Sequence, residues 1–322
     1  MSNIKKYCDK LWIPIKDRIN QLLDLSIIFS FDHSGFKRHC PHQLEMVDLS
    51  SRHGIVTGAS SGIGLAVAKA LLKQGMHCHL IGRDLEKLEN SFTSDPTVAC
   101  AKFHCLDMTD LNKVYSFALD EVTTPIDLLI HNAGDMPHSL TITKDGFEQM
   151  FASQVLAPFI LTKTLADSGK LQQGCRIIFV SSGGMYLQKL DLSDLLFEKR
   201  PYNKYTGYAN AKRAQVILSE LFSKKYPQYL FSSMHPGWAD TPGVRYSMPL
   251  FKKLLNKRLR SAEEGADTIL WLATTPDYSN GKFWFDRKQA KTTILNLYKS
   301  SKNEDDLLWN YCESIFYGSL TR

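Results

Sequence analysis

Tyr208 and Lys212 stand four residues apart at the head of an amphipathic stretch, Tyr208 to Lys225, that reads as a helix. At that spacing two side chains are neighbours on one helix face. A free tyrosine has a pKa of about 10. A neighbouring ammonium favours the phenolate and draws that value towards working pH, which suits the pair to moving a proton to or from an oxygen. Ser182 ends an apolar run upstream, where its hydroxyl can hold an oxygen and stabilise charge developing on it. The Tyr-x-x-x-Lys pattern alone is not selective, since Tyr278/Lys282 and Tyr298/Lys302 also match. The first of these contains the turn pair Asn280-Gly281, and the second lies beyond the regular part of the chain. Tyr202 and Tyr205 are nearby rivals, but Thr206 and Ala209, not lysines, follow them four residues on.

A second constellation is Thr57-Gly58-Ala59-Ser60-Ser61-Gly62-Ile63-Gly64. Small residues there let the backbone approach a pyrophosphate, and the free amides of a helix start point at it. An unliganded tight turn would also be rich in glycine. The phosphate reading rests on position, because an apolar strand precedes this turn and an amphipathic helix follows it. Gly58, Ser60, Ser61, Gly62, Ile63 and Gly64 are the candidate contacts.

These residues need a scaffold. Strand-like apolar runs occur at Gly54–Thr57, His77–Ile81, Ala99–Cys105, Ile126–His131, Arg176–Val180, Leu230–His235 and Gly281–Asp286. Helical patterns alternate with them at Gly62–Lys73, Leu85–Phe92, Leu111–Glu121, Phe147–Ala166, Tyr208–Lys225 and Glu263–Thr274. The alternation predicts an α/β fold: a Rossmann-type, doubly wound parallel sheet of about seven strands with helices on both faces. Ligands in such sheets sit at the carboxyl ends of the strands. The chain divides into an N-terminal extension (1–50), the α/β domain (51–290, with a substrate segment at 238–260) and a C-terminal tail (291–322).

The net charge of +6 over 322 residues is a mild bias that suits an anionic ligand and does not argue for nucleic acid. Seven cysteines without a C-x-x-C, and no N-x-S/T sequon, point to a reducing, intracellular setting. Cys78, Cys105 and Cys175 lie in or beside strands, where free cysteine acts as a small hydrophobe. Lysines and arginines interrupt the N-terminus, which is no secretory signal. Leu22 to Phe31 is apolar over about half the length that spans a bilayer. The expected location is cytoplasmic, or membrane-associated on the cytosolic side. His39-Cys40-Pro41-His42 lacks a second ligand pair, so no metal is expected there.

Thr57–Gly64 resembles the cofactor fingerprint of the short-chain dehydrogenases/reductases. The resemblance extends from about Gly54 to Asp286 through His131-Asn132-Ala133-Gly134, Tyr208-Ala209-Asn210-Ala211-Lys212 and His235-Pro236-Gly237. Val180–Met185 and Met234–Arg245 further resemble one subgroup of that family. The resemblance implies hydride transfer between a nicotinamide and a substrate carbon, with Tyr208, Lys212 and Ser182 as the reacting centre. It implies that Lys212 also holds the cofactor ribose and that Asp107 and Met108 contact the adenine. Asn132, Ala133 and Gly134 would lie beside the cofactor, with Pro236, Gly237 and Thr241 towards the nicotinamide. The spacing of 26 between Ser182 and Tyr208, with Leu190-Asp191-Leu192 and Pro201-Tyr202, looks like the retinol-dehydrogenase-like branch.

One position departs from the family. Its members commonly carry an asparagine in the helix after the fourth strand, completing a proton relay; here Gln154 occupies that place. A weakened or altered relay is the expectation. It motivates an alternative reading as a dinucleotide-binding regulatory or scaffold protein.

The second strand ends Ile81-Gly82-Arg83, with no carboxylate for the ribose hydroxyls. A guanidinium at Arg83 suits a 2′-phosphate, which favours NADP(H) over NAD(H). The implied partner is a small, lipophilic carbonyl or alcohol substrate. Leu250–Arg260 is basic and amphipathic, a solvated helix first, then a lid or a membrane-surface helix. Homo-oligomerisation is common in the family.

Overall fold

The computed structural model describes residues 30–93, 95–255, 257–276, 279–293 and 299–320. The apolar runs become seven parallel strands: β1 (His53–Thr57), β2 (His77–Gly82), β3 (Ala101–Cys105), β4 (Ile126–His131), β5 (Leu171–Val180), β6 (Leu230–His235) and β7 (Lys282–Phe285). An eighth, β8 (Lys288–Gln289), pairs antiparallel with β7. Asp286 and Arg287 make that turn with φ of 48° and 60°, as a two-residue hairpin requires. Neither is the glycine or asparagine that usually marks such a turn, so the pattern of residues does not announce this hairpin. The sheet order is β3-β2-β1-β4-β5-β6-β7-β8. Strand order reverses between β1 and β4, and the crevice at their carboxyl ends is where this architecture takes a ligand.

In chain order the helices are α1 (His33–His39), α2 (Gly62–Lys73), α3 (Leu85–Asn90), α4 (Leu111–Ser116), α5 (Gln149–Phe151), α6 (Ala157–Asp167), α7 (Lys204–Lys225), α8 (Pro242–Ser247), α9 (Pro249–Leu255), α10 (Ala262–Thr274) and α11 (Lys302–Ile315). Val67, Leu71, Leu88, Ala266 and Ile269 bring α2, α3 and α10 onto one face of the sheet. Val114, Phe159, Leu218 and Trp309 bring α4, α6, α7 and α11 onto the other. Because both faces are covered, the inner strands are mostly apolar, with Ile55, Val56, Leu80, Leu129 and Ile178 fully buried.

Three local features differ from the sequence pattern. The helix carrying Tyr208 begins four residues earlier, at Lys204, because Asn203 caps it by accepting from the amides of Tyr205 and Thr206. Tyr208 therefore lies in the second turn. A π turn, Ala152–Leu156, interrupts the helical run between α5 and α6 and contains Gln154. Cys105 is exposed, unlike the buried Cys78 and Cys175.

Residues 30–40 are fastened to the domain. The Phe31 ring packs edge-on against His235 and Phe285, and Asp32 both caps α1 and pairs with Arg258 at 2.7 Å. At the other end of the chain, α11 places Leu308, Trp309 and Cys312 in the main core.

Candidate active site

The glycine turn is tied to the end of β4 through Thr57. Its hydroxyl donates to the Ile130 carbonyl at 3.2 Å and accepts from the amides of Asn132 and Ala133, each at 3.0 Å. The Asn132 side chain donates back to the Thr57 carbonyl at 2.9 Å. Gly58 and Gly62 have φ of 70° and 56°, the left-handed region that L side chains avoid. A Cβ on Gly64 would collide with the Gly58 carbonyl and the Asn132 amide. Ser61 precedes α2 in an extended conformation and makes no side-chain cap. The first amides of α2 thus carry no side-chain cap at the switch point, in a cradle kept narrow by its glycines. Shape and donors both fit a dinucleotide pyrophosphate.

Tyr208, Ser182 and Lys212 converge beside this cradle. The Ser182 hydroxyl and the Tyr208 ring both face Gly184, at 3.7 and 4.0 Å from a Cβ placed there, and Ser182, as a hydrogen-bond partner, favours ionisation of the Tyr208 hydroxyl. Ser182 also accepts from the Gly184 amide at 3.2 Å, which fixes its rotamer at the head of a short 3₁₀ turn. Lys212 is 3% exposed, and its Nζ lies 5.5 Å from the centre of the Tyr208 ring. That nitrogen donates to the Val180 carbonyl at 3.0 Å and to Gln215 Oε1 at 3.2 Å.

The electrostatics of the free site differ from the simple expectation. Burial lowers Lys212 to about 7, with Asp135 pulling weakly the other way. Tyr208 sits above its ordinary value, because burial outweighs the Ser182 hydrogen bond. In the absence of other charges the lysine does not activate the tyrosine: desolvation disfavours both charged forms, ammonium and phenolate alike.

The remaining candidates fall into two groups. Thr241 closes over the glycine turn: a Cβ on Gly62 would meet its side chain at 3.1 Å, while its hydroxyl caps α8. Gly134 faces Gln154 and Lys212, and Asn132 and Ala133 stand against Gly58 of the glycine turn. Arg83, at the end of β2, is paired with Asp135 beyond β4 at 3.1 Å. It thus reaches across the mouth of β1. Met108 is buried in the core, and Asp107 is turned to the Thr109 amide at 2.8 Å. Pro236 and Gly237 are backed by Arg260, whose guanidinium fills the space beside Gly237.

The rival tyrosines are elsewhere. Tyr202 donates to the Pro137 carbonyl at 3.0 Å, and Tyr205 is exposed. Tyr278 and Tyr298 lie outside the described residues. His39 is committed to Asp286 at 2.7 Å.

Sequence reasoning missed three groups. Thr57 was read only as part of the turn, although it is the hub of it. Arg260 and Asp286 form a buried bidentate pair at 2.6 and 2.8 Å, 26 residues apart in the chain. Gln215 was not singled out, although its place three residues after Lys212 puts it on the same helix face.

Fold and site together define a dinucleotide-binding oxidoreductase built on a parallel α/β sheet. A family model described as short chain dehydrogenase matches residues 52–248, and the chain belongs to that family of NAD(P)-dependent oxidoreductases. It is 38% identical over 297 residues to human dehydrogenase/reductase SDR family member 12, spanning 88% of this chain and 93% of that protein. This is the subgroup that the stretches around Ser182 and Pro236 resemble. Human polyprenol dehydrogenase is 30% identical over 283 residues, 81% of this chain and 84% of that one. A crystal structure of a protein from Mycobacterium paratuberculosis superposes with a TM-score of 0.70 at 23% identity, covering 85% of this chain and 96% of that one; it shares the fold.

Proposed function

We propose that this chain interconverts a carbonyl and an alcohol on a small lipophilic molecule, using NADP(H), with Ser182, Tyr208 and Lys212 as its reacting residues. The observation that carries this reading is the convergence of Ser182 and Tyr208 beside Gly184, with Lys212 Nζ 5.5 Å from the centre of the Tyr208 ring, next to the glycine turn. The reduced nicotinamide, when bound, supplies the hydride to the carbonyl carbon. Ser182 holds the substrate oxygen, and Tyr208 gives it a proton. Lys212, with one N–H beyond those given to Val180 and Gln215, would hold the cofactor ribose. A bound dinucleotide would add negative charge to the site, which would favour the ammonium form of Lys212, and that ammonium would in turn ease the ionisation of Tyr208.

Support for NADP(H) comes from Arg83, exposed at the end of β2 with no carboxylate ahead of it. A 2′-phosphate would take over the guanidinium from Asp135. Arg83→Leu is therefore expected to weaken NADPH binding roughly tenfold, the worth of one charge-assisted contact of about 1.5 kcal/mol, and to spare NADH. Fluorescence titration with both nucleotides decides it; equal losses would remove Arg83 from the 2′ site. A panel of carbonyl substrates with NADPH tests the activity itself.

A lipophilic substrate agrees with a relative whose name specifies polyprenol, and with the surface beside the site. The segment 238–260 is closed at its base by an Ala239–Arg260 bridge. On its outer side Leu250 and Leu254 are 75% and 82% exposed, next to Lys253 and Lys257. That combination suits contact with an anionic membrane. Among the described residues no helix is long and apolar enough to cross one; most of Leu22–Phe31 lies outside them. Full-length protein should float with phosphatidylserine vesicles, and Leu250→Asp with Leu254→Asp should reduce that flotation. Unchanged flotation would discard this surface. Homo-oligomerisation stays a proposal of the family resemblance.

The second reading, a dinucleotide-binding regulatory protein, is favoured by one feature: the Gln154 carbonyl is already occupied by the Gln215 side chain. It predicts tight NADPH binding without turnover.

A further inference from the structure

Gln215 makes two hydrogen bonds in the interior, and they run in opposite senses. Its Oε1 accepts from Lys212 Nζ at 3.2 Å, and its Nε2 donates to the Gln154 carbonyl at 2.7 Å. Gln215 and Gln154 are both fully buried. Rotating the amide by half a turn would set amide hydrogens against the lysine and oxygen against a carbonyl, so only one orientation is allowed. The bridge thereby joins α7 to the π turn Ala152–Leu156 through the lysine's own neighbour. Around Lys212 stand the Val180 carbonyl from β5, Tyr208 from its own helix, Asp135 from the loop after β4, and Gln154 from the π turn. Gln154 Oε1 is buried without a hydrogen-bond partner and faces the same seat: a Cβ on Gly134 would lie 2.8 Å from it and 3.3 Å from Lys212 Nζ.

We propose that Gln215 is the positioning residue of Lys212: it fixes the direction of Nζ under Tyr208 and closes the protein side of the lysine to water. An amide neither releases nor takes up a proton near neutral pH. Lys212 can then exchange its proton only through the face it shares with Tyr208 and the bound ligands. The proposal deepens the reading of Tyr208 and Lys212 as the reacting pair, and rests on it.

The test is a lysine ¹³Cε NMR titration of the full-length, ligand-free protein, with kcat–pH profiles alongside. Burial pushes the Lys212 ammonium down to about 7, the starting point for the titration. Gln215→Met removes the acceptor and should move that titration down by about one pH unit, the worth of one hydrogen bond to a charged donor. Gln215→Glu sets a carboxylate against the ammonium and should move it up; it keeps the test open should the Met variant fail to fold. The pH limb of kcat should follow in the same directions, which loss of packing alone would not produce. A Lys212 titration that stays in place in either folded variant overturns the proposal. Shifted titrations in a protein without turnover would instead retain the Gln215 seat and reject the catalytic reading.

Discussion

Tyr208→Phe is expected to lower carbonyl turnover by at least about 10²- to 10⁴-fold, the usual worth of a positioned acid–base group, and to leave NADPH affinity unchanged. The variant removes one hydroxyl. The glycine turn, Asn132 and Lys212 make their hydrogen bonds without it, so the cradle stays as it is. Single-turnover kinetics with NADPH in excess separate chemistry from binding. The direction of the pH dependence follows from the raised pKa of Tyr208, in which burial outweighs the Ser182 hydrogen bond. In carbonyl reduction the phenol is the working form, so the rate should hold through neutral pH and fall only in alkali. In alcohol oxidation the phenolate must accept the proton, so that rate should rise with pH. Equal turnover in wild type and Tyr208→Phe would remove Tyr208 from the chemistry.

Asp286→Asn should have the largest effect on stability. Arg260 and Asp286 are 1% and 2% exposed. The substitution keeps a residue that tolerates the positive φ of this turn and removes only the charge. It leaves a buried guanidinium without its counter-ion, a loss of about 3–5 kcal/mol, measurable by urea unfolding. Adding Arg260→Met should recover part of it, because the orphaned charge is then gone. An Asp286→Asn protein as stable as the parent would contradict this account.

The pH dependence of the pair follows the same logic. Burial alone would raise Asp286, but its hydrogen bonds to His39 and Arg260 and the Arg260 charge outweigh burial and hold it below the ordinary carboxylate range. Its contribution to stability is therefore complete above the unfolded value of about 3.9. It is lost as pH falls through the lower folded value. Since Arg260 also supports Gly237 and binds the carbonyls of Ser30 and Asp32, unfolding should release the N-terminal segment and the wall behind Pro236 together.

The parallel sheet was legible because β1, β2, β4 and β6 are strand-length, mostly apolar runs separated by helices of distinct period. Tyr208 and Lys212 were legible because four residues on a helix is a geometric statement. Gly58–Gly64 could be read as a phosphate turn because its strand and helix are adjacent in sequence. Arg260 with Asp286, and Gln215 with Gln154, could not be paired in advance. Their partners lie 26 and 61 residues away, and local pattern carries no information about such distances. The free-site pKa of Tyr208 was equally hidden, because it depends on how deeply α7 buries both members of the pair.

The most direct measurement of the central claim uses NADPH deuterated at C4 of the nicotinamide, incubated with the purified chain and a panel of lipophilic ketones and aldehydes. Alcohol products should carry deuterium on the former carbonyl carbon. NADPH bound tightly, with no deuterium in any product, would contradict that claim and leave a nucleotide-binding protein that does not turn over.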